Sequence, residues 1–148
     1  MPRHLLATPV FGSAMLTFRK NYFFLTLLLF LVEVAIALFV HDRIIRPYGG
    51  DFLASIFLYC LLRSVVSLPA LPLAIAALVL AYLVETMQHV GLLSQLGLQG
   101  SRVARVVLGS SFSWLDMLLY TAGILLVIMV EKGRPDFYRM PGTATSRP

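Results

Sequence analysis

Residues 22–40, YFFLTLLLFLVEVAIALFV, form an apolar run close to the roughly 20 residues that a helix needs to cross a bilayer, and further runs follow at 52–68, 73–90 and 112–130. Inside hydrocarbon a chain must satisfy its own backbone N–H and C=O groups, which leaves helices as the form such runs can take. The fold class this dictates is all-α, an integral membrane four-helix bundle. Composition agrees, with 59% hydrophobic and 13% charged residues, where a soluble domain carries about 45–50% and about 25%.

The chain divides into an N-terminal segment (1–20), a membrane domain (21–130) and a polar tail (131–148) that reads as flexible. Ala35-Ile36-Ala37 resembles a signal-peptide cleavage site, but Glu33 and the length of the run favour a retained first span. The net charge of +5 would point to nucleic acid in a soluble protein. Here the basic residues flank apolar runs, so membrane orientation accounts for them and no nucleic acid is expected.

Four spans put both termini on one side. Arg3, Arg19 and Lys20 with Lys132, Arg134, Arg139 and Arg147 make seven basic residues there. The two longer loops hold four, Arg43, Arg46, Arg102 and Arg105, and the hairpin around Pro69 and Pro72 holds none. That margin puts the termini in the cytoplasm. Either way the loops at 41–50 and 91–111 share one face, which receives nearly all the remaining charge.

That face holds the candidate site: Arg43, Arg46, Asp51, Glu85, Gln88, Arg102, Arg105 and Asp116. Tyr82, Glu85 and His89 are spaced three and four apart, which puts them on one helix face with Gln88 beside them. A carboxylate inside a span is costly unless it faces the bundle interior, so Glu85 reads as a functional group or half of a salt bridge to a loop arginine. Asp116 has two readings: the N3 acid of a Ser113-x-x-Asp116 capping box, or an acid pairing with Arg102 or Arg105. Asp51, after Gly49-Gly50, reads as an N-cap or a second acid of the same cleft. The arginines suit phosphate or carboxylate oxygens bidentately, or rest as an interfacial helix on anionic lipid.

Glu33 and Arg63 lie deeper, about 12 and 18 Å from the loop ends at 1.5 Å per residue. Pairing between adjacent spans is the expectation, with snorkelling of Arg63 to the opposite interface as the alternative. No metal or cofactor is expected, since Glu85 and His89 lack an HExxH pair or cysteine cluster. Cys60 is the single cysteine, so no intrachain disulfide forms. Ser110-Ser111 lacks a GxSxG context. The order Glu33, His41, Arg43, Arg46, Gly49, Asp51 recurs as Glu85, His89, Arg102, Arg105, Gly109, Asp116, the pattern of a two-fold repeat with a site between halves.

RPYGGDFLA at residues 46–54, the ExxQ of Glu85 and Gln88, and LGSSFSWLDMLLYTAG at residues 108–123 resemble a bacterial family of small four-helix membrane proteins of unknown function, labelled YjgA-like and similar to the VanZ-like superfamily. The VanZ pattern is an ExxQ on one helix and an Asp and a Gly on the last, matched here by Glu85, Gln88, Asp116 and Gly123. Ser110 stands where that pattern often carries Arg. The resemblance implies a multi-pass protein of the bacterial inner membrane with a cell-envelope role, its ligands lipid-linked or peptidoglycan-related.

Three functions fit these residues. In the first, arginines hold an anionic lipid headgroup or a lipid-linked phosphate or glycopeptide while the acids orient them. In the second, Glu85 or Asp116 is the general base of a membrane-embedded enzyme. The third is an assembly protein whose charges satisfy one another.

Overall fold

The computed structural model describes residues 16–42, 45–97, 100–102 and 113–134. Four long helices carry these parts: α1 (Lys20–Phe39), α2 (Gly50–Val65), α3 (Ala70–His89) and, after the short α4 (Leu92–Gln95), α5 (Trp114–Glu131). A turn of π-helix, Ile45–Gly49, leads into α2. α1, α3 and α5 are each long and apolar enough to cross a membrane.

α2 is the hub, packing against α1, α3 and α5, and α3 also packs on α5. Only 16 residues long, it spans about 24 Å, short of the roughly 30 Å hydrocarbon thickness. It is also the most polar of the four, burying Ser55, Tyr59, Cys60, Arg63 and Ser64. This allocation is physically sensible. Polar groups cost least inside the bundle, so the helix that carries them goes to the centre, and the apolar helices face lipid. α1 shows the other extreme: Thr26 is its one buried residue, and it turns Phe24, Leu28, Leu31 and Leu38 outward.

Small residues set the close contacts. Ala70, Ala74, Ala77 and Ala81 form a buried stripe on α3, beside a core of Tyr59, Cys60, Leu73, Ile124 and Val127. Where α5 crosses α2, a Cβ on Gly123 would lie 2.1 Å from Ser55 Oγ and 2.6 Å from the Phe52 carbonyl oxygen. Glycine is what lets these backbones meet, the small-residue packing common between membrane helices.

The helix of the second apolar run ends earlier than hydropathy indicates. α2 stops at Val65, and Val66 after it is extended. Leu16 bridges antiparallel to Val66, while Thr17 N–H donates to Val65 O and Arg19 N–H to Ser64 O, both at 2.9 Å. The segment before α1 thereby satisfies carbonyls that the end of α2 leaves over. α3 begins at Ala70, two residues before Pro72, whose missing N–H still falls among the first-turn donors that have no helical partner.

Candidate functional site

Asp51, Glu85, Asp116 and Tyr120 come from α2, α3 and α5 and meet at the end of the bundle where the two longer loops attach. Glu85, 1% exposed, accepts a 2.8 Å hydrogen bond on Oε1 from the Ser113 backbone N–H. Its Oε2 accepts from the Tyr120 hydroxyl at 3.4 Å, which also lies 3.5 Å from Asp51 Oδ1. Asp116 brings its carboxyl within hydrogen-bonding reach of Asp51. One turn below, Tyr82 Oη and Thr121 Oγ1 are 2.6 Å apart. Tyr82 and Glu85 thus use the face that their spacing gives them, and that face meets α5.

The local chemistry differs from the capping expectations. Ser113 is the N-cap of α5 and its side chain accepts from Leu115 N–H. In a capping box Asp116 would return a bond to the Ser113 N–H; Glu85 of α3 takes that N–H instead. The cap is completed across helices, which frees Asp116 to lie against Asp51. Asp51 is not an N-cap either. The cap position is Gly49, without a side-chain bond, and Asp51 sits in the first turn, where its charge complements the helix dipole.

Arg102 is exposed, and among the described residues no hydrogen bond or ion pair joins it to Asp116, Asp51 or Glu85. Arg43 and Arg105 lie outside the described residues. The backbone of Arg46 is in the π-helical turn before α2 and that of Gln88 in the last turn of α3; their side chains lie outside the description. Among the described residues no group of three or more His, Cys, Asp or Glu side chains is arranged to hold a metal.

The family described as "Protein of unknown function (DUF2809)" matches residues 40–124, more than half of the chain. The chain belongs to the DUF2809 family. No curated protein and no solved structure matches it. The match spans the three acids, Tyr120, the RPYGGDFLA and ExxQ motifs and Gly123, so the acid end falls wholly within the family region. The YjgA-like and VanZ-like names are not what the comparison returns.

The opposite end of the DUF2809 chain holds a second polar cluster. Arg63 does not pair with Glu33: it is 1% exposed, its Nη1 donates to the Leu68 carbonyl, and its guanidinium carbon stands 5.8 Å from the centroid of the Tyr22 ring. Glu33 keeps a buried Oε1 without a partner. Arg63 lies in the last turn of α2, close enough to the hairpin to bond a carbonyl there, and at 1% exposure it stays inside the bundle instead of snorkelling out. Tyr22 Oη donates to Glu131 Oε1 at 2.5 Å and accepts from Arg134 Nη1 at 2.6 Å, and Arg134 pairs with Glu131 at 3.7 Å. The Tyr22 and Glu131 contact also puts the start of α1 and the end of α5 at the same end of the bundle.

Sequence reading placed Glu131 at the head of a polar tail and Tyr22 in an apolar run, so it missed this cluster. Two spacings pointed to it: Tyr59 and Arg63 four apart on one helix face, and Glu131 and Arg134 three apart.

Proposed function

We propose that this protein binds the headgroup of an envelope lipid, one that carries an anionic group together with hydroxyl or amino donors. The observation behind the reading is the meeting of Asp51, Asp116, Glu85 and Tyr120 from three helices at the end that bears the arginine-containing loops. Carboxylates accept hydrogen bonds from hydroxyl and ammonium groups, and guanidinium forks take phosphate oxygens. Arg43, Arg46, Arg102 and Arg105 would hold the phosphate while Asp51 and Asp116 orient the donors; Glu85, with both oxygens engaged, keeps α5 in place. A lipid-linked phosphate or glycopeptide precursor has this mixed chemistry, and the VanZ-like resemblance points the same way. On this reading the protein sits in the bacterial inner membrane with its termini in the cytoplasm, so the site faces outward.

The contact between Asp116 and Asp51 favours a second reading, an enzyme acting on such a lipid. Adjacent carboxyls with different environments are a common acid–base arrangement. Asp116 would then be the reacting group and Glu85 a positioning residue.

Native mass spectrometry of protein released from mild detergent, beside Arg102→Ala, tests the binding reading. A retained anionic lipid or polyprenyl phosphate that the variant loses is the expected result. Bare protein in both samples would leave a structural cluster as the better account.

A further inference from the structure

The hairpin end holds buried polar atoms that its own hydrogen bonds do not use. Tyr59 and Arg63 are each 1% exposed and Glu131 is 4% exposed. One polar atom of each, Tyr59 Oη, Arg63 Nε and Glu131 Oε2, is buried without a hydrogen-bond partner among the described residues. The three side chains that carry them stand around a single ring. The Tyr59 and Tyr22 rings meet edge-on at 6.4 Å, the Arg63 guanidinium is over the Tyr22 ring, and Glu131 accepts from the Tyr22 hydroxyl.

Folded interiors seldom leave such atoms unpaired, and internal water is the usual partner where protein supplies none. The three atoms define what fits: a donor in Nε–H, an acceptor in Oε2, and a hydroxyl able to play either part. The Glu131 carboxylate repels an anion, and the Arg63 guanidinium repels a cation. A neutral molecule that both donates and accepts suits all three.

We propose that the hairpin end encloses a bound water, or a short cluster of them, bridging Arg63 Nε, Tyr59 Oη and Glu131 Oε2. The water accepts from Nε–H, donates to the carboxylate and completes its bonding with the tyrosine. It links α2 to α5 behind the Tyr22 ring, so α1 is held at this end by a hydrated joint.

X-ray radiolytic hydroxyl labelling of the full chain in lipid nanodiscs tests this, because radicals form where water is bound. Tyr59, and Cys60 beside it at 2% exposed, are expected to oxidise despite their burial. Labelling of neither above the level of buried Leu73 would overturn the proposal. Tyr59→Phe supplies a second readout of opposite sign for the two cases. If water bridges the hydroxyl, Tm falls by roughly 2–4 °C. If the hydroxyl is unpaired, its removal leaves Tm unchanged or raised, and the water site is rejected.

Discussion

At the hairpin end two cations, Arg63 and Arg134, stand with one carboxylate, Glu131, around Tyr22. At the other end three carboxyls gather, Asp51 and Glu85 on Tyr120 and Asp116 against Asp51, and no described arginine bonds to them. The first cluster brings opposite charges together, although Tyr59 Oη, Arg63 Nε and Glu131 Oε2 have no hydrogen-bond partner among the described residues. Charges, a phenol and a backbone carbonyl answer one another, and what they join are the ends of α1, α2 and α5. The second brings carboxyls into contact, which a protein interior tolerates only where a shared proton or a cation offsets them. The loops attached at that end bring the arginines. The contrast teaches that burying charge inside a membrane bundle is not in itself a sign of function; an unbalanced cluster is the better sign.

Gly123 holds α5 close to α2 one turn from Tyr120, so replacing it should disturb the acid end most. Gly123→Val puts a branched side chain against Ser55 and the Phe52 carbonyl and should cost about 3 kcal/mol through overpacking, seen as a loss of folded protein in thermal melts. Should the melt be unchanged, the close crossing of α2 and α5 is wrong. Glu85→Ala strips the partner from the partly buried Ser113 N–H and should destabilise by about 1–3 kcal/mol. Glu85→Gln keeps an acceptor and should recover most of that. A Gln variant as unstable as the Ala variant would mean that the charge, and not the helix cap, is what matters.

Tyr22→Phe removes the bonds to Glu131 and Arg134 and should cost about 1–2 kcal/mol, again by thermal melt, without changing lipid retention. A variant that lost bound lipid would erase the distinction between the ends. Arg134→Ala breaks an ion pair whose arginine side chain is 56% exposed, so a loss of only about 0.2–1 kcal/mol is expected. Arg102→Ala should shift stability least, within about 0.5 kcal/mol, while removing bound lipid.

Much of this layout is readable in the residues. The apolar runs at 22–40, 73–90 and 112–130 coincide to within a few residues with α1, α3 and α5, because bilayer thickness fixes helix length. The second run misleads at its end. Val66 and Leu68 are apolar enough to continue a helix, and only the distant residues 16–19, which pair with Ser64, Val65 and Val66, show that the helix stops there. Spacing put Tyr82 and Glu85 on one face, and the repeated order of residues put Asp51 and Asp116 in matching places, where they do meet. The other matched pair diverges: Glu85 is fully bonded, and Glu33 retains a buried unpaired oxygen. The partner of Arg63 was out of reach, since depth counted along a helix says nothing about which neighbour a long side chain meets. Glu131 was misplaced by a single residue, enough to make a buried acid look like the start of a tail.

Trp114, the single tryptophan, is 74% exposed at the start of α5, two residues from Asp116, and reports directly on the acid end. Titrating the detergent-solubilised protein with polyprenyl phosphate should give a saturable change in its fluorescence. That change should be lost in Arg102→Ala and kept in Arg134→Ala. No saturable change in the unmodified protein, or equal loss in both variants, would contradict the assignment of ligand binding to the acid end.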